Sequence, residues 1–278
     1  MGLRINNNLE AFNAHRNLLN TSLALSKSMQ RLSSGYRINS AADDAAGLGI
    51  SEKMRAQING IQQASRNAQD GISLVQTAEG SLQEVTSILQ RVRDLAVQYN
   101  NGIYDASSKQ AMINEVAQLS QELTRMIGSS TFNGIPLLSS SGGAPLATLQ
   151  IGANNGETVV LPGVDAATSL GTEIQRFATL DPVASPTATI DINAIDTAIQ
   201  KIANDRATFG AVQNRLEHTV NSLGVYQENL QAAESRIRDV DMAKEMTNLT
   251  RLQILQQTGV AMLAQANMAQ SSILSLLQ

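Results

Sequence analysis

Cysteine is absent from the 278-residue chain, which excludes disulfide scaffolds, thiolate nucleophiles and cysteine-ligated zinc. Tryptophan is absent as well, and aromatic residues make up only 3% of the sequence, a poor supply for a pocket-bearing enzyme. His15 and His218 are the only histidines, so a metal site or a Ser/His/Asp triad would have to use one of them. Neither sign of charge dominates. Twenty Lys and Arg against 24 Asp and Glu leave a net charge of -4, and no polycation to hold nucleic acid. Long apolar runs are missing too. Asn6, Asn7, Asn8 and Glu10 interrupt the start, where a cleavable secretory signal needs roughly 7 to 15 apolar residues, so none is expected. No charge follows Arg251, yet Gln253, Gln256, Gln257, Gln265, Asn267 and Gln270 would each carry an amide into hydrocarbon. A helix packed on protein is expected there, not a membrane span. What remains is Ala, Leu, Ile, Gln, Asn and Ser, the composition of long helices.

Apolar residues recur at helical spacing. Met54, Ile61, Ala68, Val75, Leu82, Leu89 and Ala96 stand seven apart, accompanied by Ile58, Ile72, Ala78, Val85 and Val92. A second run reads Ile195, Ile202, Phe209, Leu216, Leu223, Leu230 and Ile237, with Ala198, Val212, Tyr226, Ala233 and Val240 three residues on. One such run arises by chance in about half of chains with this apolar content, whereas two flanked runs of matched length predict long helices side by side. The N-terminal stripe Ile5, Leu9, Phe12, Leu19, Leu23 is expected to pair with the C-terminal stripe Leu252, Leu255, Met262, Ala266, Ala269, Ile273, Leu276. A helix over 107–127 uses Met112, Val116, Leu119, Leu123 and Met126, with Gly128 as its stop, and folds back antiparallel. All five prolines fall in 129–190, where Asn155-Gly156 between Leu149, Ile151 and Val159, Val160 signals a β-hairpin. The expected fold is mainly α: a long antiparallel coiled-coil rod formed by both chain ends, with a small β-hairpin region in mid-chain. The expected division is residues 1–44 with 238–278 as paired ends, and 45–237 as a second part with long helices 45–99, 107–127 and 191–237 and a β-rich cap 129–190.

The local motifs favour structure over chemistry. In RLSSGYRINSAADDAAGLGI, residues 31–50, Gly35 ends one helix and Asp43 or Asp44 stands where the next begins, favouring its free amides. Gly47 and Gly49 form no phosphate loop, because no strand precedes them and no GKS or GKT follows. His15 and His218 read as surface residues, and no metal or other cofactor is expected. Most of the methionines are expected to fill heptad seams. Arg91, Arg93, Arg236 and Arg238 read as solvated helix faces or partners of acidic side chains.

The strings RLSSGYRINSAADDAAGLGISEKMRAQI (31–58), LQRVRDLAVQ (89–98), FNG (132–134), FGAVQNRLEHT (209–219) and the terminal SLLQ are more specific. Together and in this order the sequence resembles bacterial flagellin over roughly residues 1–138 and 190–278. The resemblance implies an inner core of paired chain ends and an outer core of antiparallel helices with a small β region. Many flagellins insert large outer domains between the halves; here a short segment joins them, as in a core-only flagellin.

The function the resemblance implies is self-assembly into the flagellar filament used for motility, outside the cell, after export through the flagellar type III apparatus. The implied partners are further copies of the chain, an export chaperone at the C-terminal segment, and the filament cap and hook-associated proteins. Neither nucleic acid nor membrane is among them. The residues assigned to polymerisation are Ile5, Leu9, Phe12, Leu19, Leu23, Leu252, Leu255, Met262, Ile273 and Leu276. The family pattern for the vertebrate flagellin-sensing Toll-like receptor falls on Arg91, Leu95 and Glu115, with Asp94 where glutamate is commoner. A hook-filament junction protein shares flagellin-like ends, and a coiled-coil adaptor would explain the heptads without these strings. A hydrolase built on Glu217 and His218 is disfavoured, since adjacent helical residues point apart.

Overall fold

The computed structural model describes residues 8–139, 144–166, 171–180 and 189–275. Helices dominate: α1 (Leu9–Ser34), α2 (Ala45–Tyr99), α3 (Ala106–Ser129), α4 (Gly171–Ala178), α5 (Ile192–Arg238) and α6 (Met242–Ser275). Two antiparallel hairpins lie in mid-chain, β1 (Thr131–Phe132) with β2 (Ile135–Pro136), and β3 (Ala147–Gln150) with β4 (Thr158–Leu161). The chain divides into two compact units, one made by its ends up to Ala56 and from Asn229, the other by Gln57–Glu228.

The Gln57–Glu228 unit holds the main core. On α2 the heptad positions Ile61, Ala68, Val75, Leu82, Leu89 and Ala96 are all buried, as are Ala64, Ala78, Val85, Val92 and Tyr99 between them. From Ala68 to Tyr99 they meet Ile195, Ala198, Ile202, Phe209 and Leu216 of α5 and Met112, Ile113, Val116 and Leu123 of α3 in one apolar cluster. Each large aliphatic side chain so buried stabilises the unit by about 1.5–3 kcal/mol. Cross-helix pairs fix the directions. Arg93 pairs with Asp196 and Arg206 with Glu79, so α5 runs antiparallel to α2. Arg91 pairs with Glu115 and Ser130 Oγ donates to Ser81 Oγ, so α3 does likewise.

Several local features depart from the sequence reading. The α3 helix runs through Gly128 to Ser129, and the Ser130 amide closes it on the Met126 carbonyl. Helix α4 was not foreseen within 129–190. It buries Ile174 and Phe177, and the Phe177 ring meets Tyr99 edge-on at 5.4 Å. The β3–β4 hairpin forms around Asn155-Gly156, with Gly156 at φ 88°. It lies on α2, where Asn67 Nδ2 donates to the Gln150 carbonyl at 2.9 Å. A Cβ at Gly71 would overlap the Leu149 side chain, so glycine permits this close approach.

Candidate assembly surface

The first and last of the described helices, α1 and α6, pair with each other. The Asn8 side chain caps α1 by accepting from the Ala11 amide, and its Nδ2 donates to the Ala266 carbonyl at 3.0 Å. Leu18 lies against Gly259, and Ser28 Oγ donates to Glu245 Oε1 at 2.6 Å. These three contacts make α1 and α6 antiparallel. The covered positions of α1 include Ala11, Ala14, Leu18, Thr21, Leu25 and Ser28, in threes and fours; those of α6 include Glu245, Leu249, Leu252, Gln256, Gly259, Leu263 and Ala266. Small side chains allow the backbones to approach, and the Ser28–Glu245 bond satisfies a polar pair within the seam.

The pairing therefore uses a different face from the one expected. Leu9, Phe12, Leu19 and Leu23 lie on the opposite side of α1, and Leu9, Phe12 and Leu23 are 69–72% exposed. On α6 the stripe divides: Leu252 is buried in the pair, whereas Leu255 and Met262 are about half exposed, at 49% and 59%. The physical reason is spacing. The exposed large residues and the seam both recur in threes and fours, and roughly half a turn separates them on α1. Ile5 and Leu276 lie outside the described residues, as does the side chain of Ile273. Ile254, Val260 and Met268 are exposed as well, so α6 is apolar around most of its circumference. A helix of that kind is ordinarily covered on every side. A groove of about 590 Å³ lined by Met246, Thr247, Thr250, Arg251, Ile254 and Leu255 opens on this surface.

A compact joint holds the seam's far end. Gly35, at φ 75°, ends α1, and its carbonyl accepts from the Val240 amide at 3.0 Å. The Arg37 amide donates to the Arg238 carbonyl at 2.7 Å, and Tyr36 bridges to Asp239. Asp44 Oδ1 accepts from the Gly47 amide at 2.8 Å, the capping role expected of it. Asp43 takes the salt bridge from Lys27 and accepts from the amides of Asn39 and Ser40. The Lys27 ammonium and these donors hold the Asp43 carboxyl far below its ordinary value. Glu52 is lowered in the same sense by the Arg238 guanidinium, which donates to it at 2.6 Å.

The three receptor-pattern residues separate. Arg91 Nη2 and Nε meet Glu115 Oε1 at 2.6 and 2.8 Å on the surface. Leu95 is 2% exposed and belongs to the core with Val92, Ala96 and Tyr99, so it is no surface plug. Among the described residues no group of His, Cys, Asp and Glu is arranged to hold a metal, and no helix is long and apolar enough to cross a membrane. The seam between α1 and α6 is the feature sequence reasoning missed; the spacing of Ala11, Ala14, Leu18, Thr21, Leu25 and Ser28 was its available signal.

Residues 5–142 match the bacterial flagellin N-terminal helical region, and residues 192–277 match the bacterial flagellin C-terminal helical region. A flagellin of Halalkalibacterium halodurans is 50% identical over 274 residues, covering 99% of both chains. The flagellar filament 33 kDa core protein of Treponema phagedenis is 49% identical over 284 residues, again covering 99% of each. Among solved structures, a putative flagellar hook-associated protein from Vibrio parahaemolyticus superposes with a TM-score of 0.58 at 14% identity. It covers 71% of this chain and 100% of its own, a likeness of fold alone.

Proposed function

The chain belongs to the bacterial flagellin family, structural and non-enzymatic subunits of the flagellar filament, and we propose that the outward faces of α1 and α6 are its polymerisation surface. One observation carries this: Leu9, Phe12, Leu19, Leu23, Leu255 and Met262 stand exposed on a helix pair whose own seam is already filled by other side chains, among them Ala11, Leu18, Leu25, Leu252 and Leu263. Exposed apolar surface of this extent is covered by further copies of the chain. The contacts are heterologous and open-ended, as a growing filament requires. Leu252 acts within the subunit, holding α6 to α1. Ile5, Ile273 and Leu276 are assigned to the same surface on sequence alone.

The ends of the chain act as the inner core of the filament and the helices of the middle as its outer core. An export chaperone covers the apolar C-terminal segment before assembly, and the cap and hook-associated proteins meet the same faces at the filament's limits. Recognition by the vertebrate flagellin-sensing Toll-like receptor runs through the exposed Arg91 and Glu115, with Leu95 supporting them from beneath. Electron microscopy of the purified chain tests the central reading. The unaltered protein forms long tubes, and a Leu9→Asp, Phe12→Asp, Leu23→Asp variant stays monomeric with the Gln57–Glu228 unit folded. Tubes from that variant would refute the assignment.

A further inference from the structure

Four Asn-Gly dipeptides occur in the chain, at Asn59-Gly60, Asn101-Gly102, Asn133-Gly134 and Asn155-Gly156. This is the sequence in which an asparagine side chain is most open to attack by the following backbone nitrogen, because glycine offers no Cβ to obstruct it. Attack needs the Asn side chain free to turn and the intervening backbone free to rotate. The four sites differ in both respects. Asn59 and Gly60 lie inside α2, with the Gly60 amide held in the helical ladder and Gly60 packed against Ala153. Asn133 and Gly134 form the two-residue turn of β1–β2, pinned at φ 48° and 80° between the paired residues Phe132 and Ile135. Asn101 Oδ1 accepts from the Ile103 amide at 3.3 Å, which restrains it.

Asn155 is exposed, and among the described residues its side-chain amide has no hydrogen-bond partner. It lies in the longer loop between Gln150 and Thr158, where the Glu157 amide reaches the Asn154 carbonyl at 3.4 Å and Gln150 Nε2 donates to that carbonyl at 2.6 Å, neither bond being made by Asn155 itself.

We propose that Asn155 is a self-modification site that converts to aspartate and isoaspartate in the folded protein. The Gly156 backbone nitrogen bonds to the Asn155 side-chain amide carbon. The carbon–nitrogen bond of that amide breaks, and ammonia leaves carrying the proton displaced from the Gly156 amide. Water then adds to one or other carbonyl of the five-membered imide. Opening one way gives aspartate; opening the other gives isoaspartate, with the former Cβ inserted in the backbone. No oxidant, metal or enzyme enters the balance.

Either product places a new carboxylate near that of Glu157, which already accepts from the Asn154 amide and Nδ2 at 3.0 Å. Isoaspartate also lengthens the hairpin tip two residues from Ala153, which sits on Gly60 beside a cleft of about 280 Å³ lined by Ile61, Leu223 and Tyr226. The site is thus placed to record the age of a chain and to loosen the hairpin from α2 as it does so. The chemistry stands whether or not the filament assignment does.

The test incubates the folded full-length chain in mildly alkaline buffer, with a parallel sample in denaturant, and follows all four peptides by mass spectrometry. In the folded chain Asn155 should convert first, at least about tenfold faster than Asn59, whose reaction must wait for local opening of the helix. In denaturant the four rates should draw together. Hydroxylamine should cleave the folded chain between Asn155 and Gly156, trapping the imide, and Asn155→Gln should abolish that cleavage. Equal or faster conversion at Asn59, Asn101 or Asn133 in the folded chain would overturn the proposal. So would an Asn155 that stays intact while the denatured chain reacts.

Discussion

Phe12→Ala separates assembly from folding. The ring is 69% exposed in the single chain, so truncating it removes little intramolecular packing, and alanine favours the helix. If neighbouring copies cover the ring, its full burial contributes about 2 kcal/mol per subunit to the polymer. Losing that raises the critical concentration for polymerisation by about thirtyfold. Leu82→Ala is the opposite case. Leu82 is fully buried in the Gln57–Glu228 unit, and a cavity there costs about 2–5 kcal/mol of folding stability. Pelleting after seeding gives the critical concentration, and circular dichroism melting of the unpolymerised chain gives the stability. Phe12→Ala should shift the first and leave the second, while Leu82→Ala should lower the melting temperature. A critical concentration unchanged by Phe12→Ala, or a loss of melting temperature equal to that of Leu82→Ala, would refute the reasoning.

Hydrogen exchange on monomers should find α1 and α6 less protected than residues 61–99, because Ile38 and Leu252 are the only buried hydrophobic residues among those described in the unit made by the chain ends. Polymerisation should protect them, and equal protection in the monomer would contradict this. Asp43, lowered by Lys27 and by the Ser40 and Asn39 donors, stabilises the joint fully above its ordinary value of 3.8. That contribution is lost as pH falls below 3.8 through the lowered folded-state value, so an NMR titration should find no midpoint near 3.8 in the native chain, and Lys27→Met should move the midpoint back towards it. Arg91→Ala should weaken monomer binding to the receptor ectodomain by about 1–3 kcal/mol. Its exposed pair with Glu115 supports the fold by at most about 1 kcal/mol, so thermal unfolding should barely move; unchanged binding would leave Arg91 a purely structural role.

Where one chain buries large residues at regular spacing, the sequence was legible. Ala68 to Ala96 on α2 and Ile195 to Leu216 on α5 meet within a single core, so a seven-residue period and its structural consequence coincide. Farther along α5, Leu223, Leu230 and Ile237 keep the period but are only half-buried, and periodicity alone cannot register that change. The Asn155-Gly156 turn was legible for a different reason, because glycine there takes a positive φ that few other residues adopt. Helix α4 was not, since eight residues with Ile174 and Phe177 as their buried pair fall below the length at which a helical period stands out. Gly128 misled because the helical turn closes beyond it, the Ser130 amide bonding to the Met126 carbonyl, and one glycine in a last turn costs only about 1 kcal/mol.

At the candidate surface the pattern was visible but its partner was not. An apolar stripe says that a face becomes buried; it does not say against what. Phe12 and Leu252 carry the same signal, yet Leu252 is covered by α1 of its own chain and Phe12 by nothing in it. What distinguishes them is the opposite face of α1, where Ala11, Ala14 and Ser28 are too small to register as hydrophobic pattern but small enough to let α6 approach. Leu95 shows the converse. Four residues from Arg91, it shares a helix face in the coarse sense, but the 40° between such positions carries it from the exposed rim into the row of Val92, Ala96 and Tyr99. The seam takes one face of α1, from Ala11 through Leu18 and Leu25 to Ser28, and that division lets a single helix bind its own chain on one side and offer Leu9, Phe12 and Leu23 on the other.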